Sequence, residues 1–396
     1  MSLPRRAGQG DIRFCRILGA GCTLSCVMVG TLGRRIDVHD FEAYQTLVHS
    51  VQVIRSVLLW MVLLPAVRSP LGQITEFPIP TANSSPTGIA AGPDGNLWFT
   101  ELTGNKIGRI TTSGTITEFP IATVNSLPDF ITAGPDGNLW FTEANGNKIG
   151  RITTAGAMTE FPIPIGVGGP MAITLGPDLN LWFTAAGKVG KITPDGVVTV
   201  FSTMIQPSSG STGITSGQDG NIWFADGGVF IGSGFIGSAT PSGVVRLLLA
   251  IDSSPQQMTT GPDDNIWFTD FKGGLHGIAR ISPDGVITRF PSPTFSNFTY
   301  GITAGPDDNL WFTEWASRDS GDKIGRSTVT GRITEFSVPS GVSLPLTITT
   351  GPDGNIWFTE VFGNRIGRLT LPIPLVRPRC PPHPSGPPWS GSRRLP

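Results

Sequence analysis

The chain has 396 residues, of which 52 are glycine and 35 are proline, while only 14% are charged and the formal net charge is −1. Glycine and proline disfavour helix interiors, so this composition excludes a helical bundle or a coiled coil. The 39% of hydrophobic residues and the ten tryptophans exclude a disordered chain, and the near-zero net charge excludes a basic surface for nucleic acid. A turn-rich, mostly β protein is therefore expected.

Residues 1–70 carry no repeat and are predicted to contain an export signal. The apolar run 56–67 follows Arg55 and has the length of the core of a secretory signal, which is too short to span a bilayer comfortably. A second apolar run, 15–32, follows several arginines and is an alternative exported segment. We therefore expect a secreted or periplasmic protein without stable membrane insertion.

Seven Trp-Phe dipeptides divide the following part of the chain into repeats of 41 to 46 residues. The tryptophans are Trp98, Trp140, Trp182, Trp223, Trp267, Trp311 and Trp357. A Gly-x-Asp-x-Asn turn precedes each dipeptide, and a segment that resembles Ile-Gly-Arg-Ile follows nearly every one. The Trp and Phe side chains point to opposite faces of their strand and are predicted to pack between structural units.

The first repeat predicts four strands, which are Gly88 to Ala91, Leu97 to Glu101, Lys106 to Thr111 and Thr115 to Pro120. Proline, aspartate, glycine and asparagine between these strands favour tight turns. Four-stranded antiparallel units of this length, repeated seven times, predict an all-β protein that folds as a seven-bladed β-propeller.

The ends of the repeat region predict how the propeller closes. An isolated fourth-strand segment, Ile74 to Pro80, precedes the first repeat, and the last repeat stops after its third strand at residues 369–370. We expect the N-terminal strand to complete the last blade, because this pairing removes an open sheet edge. The predicted propeller covers residues 71–371 and is expected to be a monomer. The Pro- and Arg-rich tail, 372–396, is predicted to be disordered.

A ligand is expected at one face of the propeller, where the loops between blades meet the loops between strands two and three; we call this face the mouth. The positions five residues before each repeat glycine, which line the channel, are Thr87, Asp129, Met171, Thr212, Gln256, Tyr300 and Leu346. We predict that Asp129 and Gln256 bind substrate, together with Phe298 and Trp315 from the sixth blade.

Acidic residues stand three positions after six of the seven tryptophans, in a set that consists of Glu101, Glu143, Ala185, Asp226, Asp270, Glu314 and Glu360. One interpretation is that Asp226, Asp270 and Glu314 hold a divalent cation. The other interpretation is that each acid forms an ion pair across the hairpin with a base of strand three, such as Lys106 or Arg109. Both interpretations follow from the same residues.

His276 is the single histidine of the predicted propeller, and the repeat places it in a loop between strands two and three on the mouth face. It is either a polar loop residue or a functional group, because histidine is the side chain whose charge changes near neutral pH.

The repeat Gly-Pro-Asp-Gly-Asn-Leu-Trp-Phe-Thr-Glu … Asn-Lys-Ile-Gly-Arg-Ile-Thr … Ile-Thr-Glu-Phe-Pro-Ile-Pro closely resembles the streptogramin B lyase (virginiamycin B lyase) family over all seven blades. The resemblance implies elimination at the ester C–O bond of a cyclic depsipeptide, by a histidine base and a magnesium ion held partly by glutamate. The family's histidines match the channel-lining set, where this chain has no histidine and where Tyr300 and Leu346 are the nearest equivalents. The catalytic candidates are therefore His276 and Tyr300, although a tyrosine near its usual pKa of about 10 is a poor base.

Three functions are open on this sequence. The first is a lyase that acts on a small cyclic peptide at the mouth, with magnesium as the cofactor that the resemblance implies. The second is a non-catalytic exported propeller that binds a peptide, a glycan or a partner protein there. The third is a metal-dependent lactonase that uses the acidic residues, by analogy of fold alone.

Overall fold

The structure is a computed structural model that describes residues 72–164, 166–203, 213–227, 234–272, 275–282, 285–294, 297–316 and 321–372. Within these ranges the chain forms 28 β-strands and no helix. The strands build seven four-stranded antiparallel sheets, which confirms the predicted seven-bladed β-propeller. The predicted export signal, the channel position Thr212 and most of the predicted C-terminal tail lie outside the described residues.

The first three blades contain the most regular repeats. Blade 1 comprises β2 (Pro86–Ala91), β3 (Leu97–Glu101), β4 (Lys106–Ile110) and β5 (Ile116–Pro120). Blade 2 comprises β6 (Pro128–Ala133), β7 (Leu139–Glu143), β8 (Lys148–Ile152) and β9 (Met158–Pro162). Blade 3 comprises β10 (Pro170–Leu175), β11 (Leu181–Ala185), β12 (Lys188–Ile192) and β13 (Val198–Ser202).

Blades 4 to 6 contain several longer strands. Blade 4 comprises β14 (Gly213–Ser216), β15 (Ile222–Asp226), β16 (Gly234–Ala239) and β17 (Val245–Ile251). Blade 5 comprises β18 (Ser254–Thr260), β19 (Ile266–Lys272), β20 (Leu275–Ile281) and β21 (Ile287–Pro291). Blade 6 comprises β22 (Asn297–Ala304), β23 (Leu310–Ala316), β24 (Lys323–Ser327) and β25 (Ile333–Ser337).

Blade 7 combines strands from both ends of the described chain. It comprises β26 (Pro345–Thr350), β27 (Ile356–Glu360), β28 (Arg365–Thr370) and β1 (Gln73–Pro78). The strand β1 pairs antiparallel with β28, so that Gln73 lies opposite Thr370 and Pro78 lies opposite Arg365. The outer strand of this sheet therefore comes from the beginning of the described chain.

The hydrophobic core lies between blades, and strand two supplies both of its faces. Trp98 packs with Ile131 and Phe141 of blade 2, whereas Phe99 packs with Trp357 of blade 7. Successive side chains of a strand point to opposite faces, so one Trp-Phe pair contributes to two interfaces. The predicted packing of these pairs between blades is confirmed.

A stack of tryptophan on phenylalanine, with a cation close to the tryptophan ring, repeats on the Trp face of each blade except blade 4. In blade 1 the ring centroids of Trp98 and Phe119 lie 5.5 Å apart, and the guanidinium carbon of Arg109 lies 5.6 Å from the Trp98 centroid. The Trp98 indole N–H donates to Asp94 of the preceding turn at 3.1 Å. This bond ties the Gly-x-Asp-x-Asn turn to the core and gives its aspartate a structural role.

Candidate functional site

The mouth is formed where loops of neighbouring strands hydrogen-bond to one another. In blade 1 the backbone N–H of Leu102, after strand two, donates to the carbonyl of Ser85 at 3.0 Å, and Thr103 donates to the carbonyl of Ser84 at 3.1 Å. The loop between strands two and three therefore packs against the loop that enters strand one. This packing places both loop sets on one face of the molecule.

Four aromatic rings of blades 5 and 6 form a cluster at this face, which we call the aromatic cluster. The imidazole of His276 stacks on Phe271 with centroids 4.3 Å apart and meets Phe298 edge-on at 4.2 Å. Phe298 in turn stacks on Trp315 at 4.5 Å. Phe298 and Trp315 are half-buried, so this cluster joins three of the predicted site residues and offers an aromatic surface.

The prediction that His276 lies in a loop is wrong. Strands β19 and β20 are seven residues long, so His276 is the second residue of β20 and lies opposite Phe271. Its side chain is only 5% exposed. Burial lowers the pKa of His276 below its usual 6.5, because desolvation disfavours the imidazolium. The imidazole is therefore neutral at neutral pH and can accept a proton.

Asp270 shares a small cavity with His276. The cavity has a volume of about 90 Å³, and its wall includes Asp270, His276 and Arg289. The Arg289 side chain donates to Asp270 Oδ2 at 2.9 Å, while Asp270 Oδ1 has no hydrogen-bond partner. The base that pairs with this acid comes from strand four, not from strand three as the hairpin interpretation expects.

Glu314 is linked to the backbone of His276 through one serine. The hydroxyl of Ser292 donates to Glu314 Oε1 at 2.9 Å, and the N–H of Ser292 donates to the His276 carbonyl at 2.9 Å. The second oxygen, Oε2, is buried without a partner. Burial, with the negative charge of Glu335, raises the pKa of Glu314 to about 8. This carboxyl is therefore largely protonated at neutral pH.

The three predicted metal ligands do not form a ligand set. Among the described residues, no three or more His, Cys, Asp or Glu side chains lie close enough together to hold a metal ion. Asp270 is engaged by Arg289, Glu314 accepts from a hydroxyl, and Asp226 is buried at the end of β15. Asp226, Asp270 and Glu314 therefore do not together form the three-carboxylate cation site that the sequence suggested.

The channel brings together Tyr300 of blade 6 and Asp129 of blade 2. Burial raises the pKa of Tyr300 above its usual 10, and the charge of Asp129 raises it further. A hydrogen bond with Gln257 lowers this pKa, but by less than the two other effects raise it. Burial also raises the pKa of Asp129 to about 6, against a hydrogen bond with Thr87. The phenol stays protonated at neutral pH, so Tyr300 is a hydrogen-bond donor there rather than a base. Gln256 is half-buried on β18.

Four glutamates at the end of strand two are buried at the mouth, and the strand-three lysine or arginine opposite each of them binds a glutamate of strand four instead. In blade 1 Lys106 lies opposite Glu101 in the hairpin, but its ammonium binds Glu118 of strand four at 3.0 Å. Both carboxylate oxygens of Glu101 are buried without a hydrogen-bond partner. The predicted pairing of Glu101 with Lys106 is therefore wrong. Three other blades show the same arrangement of one buried glutamate and one strand-four glutamate that binds the base. In that order, the pairs are Glu143 with Glu160, Glu314 with Glu335, and Glu360 with Glu76.

The two glutamates of the blade 1 pair contribute to stability with opposite dependences on pH. Burial and the charge of Glu118 raise the pKa of Glu101 to about 7. The contribution of Glu101 to the free energy of unfolding is therefore complete below pH 4.5 and is lost as the pH rises through 7. Burial also raises the pKa of Glu118, but hydrogen bonds from Lys106 and Thr81 outweigh it and lower that pKa. The stability due to Glu118 is therefore present above pH 4.5 and is lost below it.

The variant Glu101→Gln is expected to raise the free energy of unfolding at pH 8 by about 1–3 kcal/mol and to change it little at pH 4, because the amide cannot ionise. Glu118→Gln is the matched control and is expected to lower it at pH 8, since it removes the acceptor of Lys106. Urea denaturation at both pH values measures the difference. A shift of the same sign for both variants at pH 8 contradicts this account.

Sequence reasoning missed Phe271 and Arg289. Phe271 follows Asp270 directly, and the strand extends far enough to place it beside His276. The signal was present, since blade 5 reads Trp-Phe-Thr-Asp-Phe-Lys without a turn residue after the acid. No helix in the described part of the chain is long and apolar enough to cross a membrane.

Comparison with protein families gives a match along most of the chain. The profile described as the virginiamycin B lyase family matches residues 66–245 and 202–387. Virginiamycin B lyases of Bacillus licheniformis and Bordetella pertussis are each 45% identical over 42 residues, which are 11% of this chain. That match spans only 14% of the length of either curated relative.

Solved structures extend the similarity to the whole propeller. A streptogramin B lyase structure is 32% identical, with a TM-score of 0.68, over 76% of this chain and 98% of the other. A virginiamycin B lyase from Staphylococcus aureus is 34% identical, with a TM-score of 0.68, over 76% of this chain and 99% of the other. A catalytically inactive histidine-to-alanine variant of the Staphylococcus aureus enzyme, solved with quinupristin, gives the same values.

Proposed function

Because the chain belongs to the virginiamycin B lyase family, we propose that it is a carbon–oxygen lyase that opens a cyclic depsipeptide lactone at the mouth of its propeller. The observation that carries the proposal is the burial of His276 in the aromatic cluster, where its ring centroid lies 4.2 Å from that of Phe298 and where burial lowers the imidazole pKa. A neutral imidazole is the form that accepts a proton in general-base catalysis.

The reaction is an elimination. The imidazole of His276 takes the proton from the carbon next to the carbon that carries the ester oxygen. The electrons of that C–H bond form a carbon–carbon double bond, the C–O bond breaks, and the ring opens with a carboxylate as leaving group. Atoms balance without water, so the product has the mass of the substrate. The elimination is assigned to residues of this chain alone, because the described side chains form no group of three or more metal ligands.

The other mouth residues bind and orient the peptide in this proposal. Phe298 and Trp315 present a half-buried stacked surface on which an aromatic or apolar side chain of the substrate packs. The protonated phenol of Tyr300 donates a hydrogen bond in the channel, where Asp129 and Gln256 accept or donate to substrate amides. Tyr300 therefore positions the substrate and does not act as the base.

The second candidate is a non-catalytic propeller that binds a peptide, a glycan or a partner protein at the same mouth. One observation favours it: the His276 ring is enclosed between Phe271 and Phe298 and is only 5% exposed. In addition, none of the described channel-lining positions carries a histidine. These positions are Thr87, Asp129, Met171, Gln256, Tyr300 and Leu346.

Incubation of the full chain with quinupristin separates these functions when the product is followed by mass spectrometry. A lyase gives a ring-opened product of unchanged mass with a new ultraviolet absorbance from the double bond, and this is the expected result. A product that has gained one water indicates hydrolysis by a lactonase. Unreacted quinupristin overturns the lyase proposal, and calorimetry on the same mixture then shows whether the mouth binds it.

A further inference from the structure

A cation fills the space above the strand-two tryptophan in six of the seven blades. Its charged centre lies between 5.3 and 5.7 Å from the tryptophan centroid. The cation and tryptophan pairs are Arg109 with Trp98, Arg151 with Trp140, Lys191 with Trp182, Arg280 with Trp267, Arg326 with Trp311, and Arg368 with Trp357.

Five of these cations also donate a hydrogen bond to a carbonyl of the neighbouring blade. Arg109 Nη1 donates to the carbonyl of Thr154 at 3.1 Å, and Arg151 Nη1 donates to the carbonyl of Pro194 at 3.1 Å. Each acceptor lies in the turn between strands three and four of the next blade. The cation therefore occupies a cleft between two blades, at the end of the propeller opposite the mouth.

Blade 4 lacks both partners of its tryptophan. Ser238 lies opposite Trp223 where the other blades have arginine or lysine, and Leu249 lies opposite Ile236 where they have phenylalanine. Trp223 is 7% exposed, against at most 1% for the six other repeat tryptophans. The serine at position 238 is too short to cover this indole as arginine or lysine does in the other blades.

A cavity of about 380 Å³ lies in this place, between blades 4 and 5. Its lining consists of Gly217, Gln218, Asp219, Trp223, Asp264, Asn265, Ile266 and Ile281. The two charged lining residues are both acids. In blades 2, 3, 5 and 6 the aspartate equivalent to Asp219 forms an ion pair with the stacked cation, for example Asp263 with Arg280 at 3.0 Å. In blade 4 the turn aspartate faces the cavity beside the indole.

We propose that this cavity binds a small organic cation, a guanidinium group on a short alkyl chain, in the position of the missing arginine side chain. The indole face of Trp223 attracts the cation, and tryptophan is the strongest aromatic partner for this contact. Asp219 supplies the carboxylate that pairs with it, and Ile266 and Ile281 contact its alkyl chain. The site lies opposite the mouth, so the inference is independent of the proposed function.

Arg246 is the competitor within the chain. It lies opposite Ser238 on the outer strand and therefore on the same face of blade 4 as Trp223. Its side chain is exposed and does not line the cavity. Arg246→Gln is expected to leave ligand affinity unchanged. If this variant gains affinity, Arg246 fills the site in the free protein and the proposal of a ligand site is overturned.

Calorimetric titration of the full chain with butylguanidinium tests the site, and butylurea is the neutral ligand of the same shape. Butylguanidinium is expected to bind at least about tenfold more tightly, since a desolvated cation–π contact and a carboxylate both require the charge. Equal affinity for the two compounds, or no binding of either, overturns the proposal.

The variant Ser238→Arg restores the side chain of the other blades and is expected to weaken butylguanidinium binding at least about tenfold by filling the cavity. Ser238→Lys copies blade 3 and serves the same purpose if the arginine variant fails to fold. Ser238→Ala is the matched control and is expected to bind like the original chain. Unchanged affinity in a folded arginine or lysine variant overturns the proposal.

Discussion

The variant Trp140→Ala is expected to lower the free energy of unfolding by about 3–5 kcal/mol, the range for deletion of a large buried aromatic side chain. Trp140 is fully buried, and its ring stacks on Phe161 at 5.4 Å and lies under Arg151 at 5.5 Å. The variant also removes the indole N–H that donates to Asp136 at 3.0 Å. Urea denaturation at pH 5 measures the loss.

Trp223→Ala is the matched control, because Trp223 is the same residue in the blade that lacks the stack. In the original chain the Trp223 indole N–H donates to Asp219 of its turn, with both carboxylate oxygens at 3.2 Å. Neither a phenylalanine nor a cation stands at the positions that flank the tryptophan in the other blades. The loss is therefore expected to be smaller than for Trp140→Ala. Equal losses would show that burial alone, without the stacked partners, decides the stability of these tryptophans.

The second large effect concerns catalysis. If the chain is the lyase proposed above, His276→Ala is expected to lower kcat/KM for quinupristin about 10²–10⁴-fold, which is the range for loss of a general base. The active form is the neutral imidazole, and burial lowers the pKa of His276. The rate of the original chain is therefore expected to be constant at neutral pH and to fall only on acidification below 6.5.

Val286→Ala is the control for this experiment. Val286 is 58% exposed in a turn between strands three and four, at the end opposite the mouth, so its truncation is expected to leave the rate unchanged. Full activity in a folded His276→Ala variant would show that another group removes the proton. Initial rates from pH 5 to 9 give both the size of the loss and the position of the acidic limb.

The number of blades could be predicted because each repeat carries its own turns and its own core pair. Gly-x-Asp-x-Asn fixes the turn, and the indole of the following tryptophan binds that aspartate, as Trp98 binds Asp94. These contacts are local in sequence. The prediction that both members of a Trp-Phe pair are buried between blades rests on the alternation of a strand and needs no knowledge of the other blades.

The mouth could be predicted less well, because its contacts depend on where strands end and on which charges compete. His276 was expected in a loop, but Phe271 and the residues beside it continue the strand and bury the imidazole. Lys106 has two acids in reach and binds the one on the outer strand, which leaves Glu101 without a base. The repeat contains both glutamates, and only the three-dimensional arrangement distinguishes them.

The cation bridges also determine how the blades share their stability. Where Arg109 or Arg151 donates to the next blade's turn, neighbouring sheets are coupled by a hydrogen bond in addition to their apolar contact. In a ring of such units, cooperativity is a sum of nearest-neighbour interface energies. Ser238 cannot reach across, so the interface of blades 4 and 5 lacks that coupling term. This interface is therefore expected to open more readily in local unfolding than the interfaces that Arg109 and Arg151 bridge.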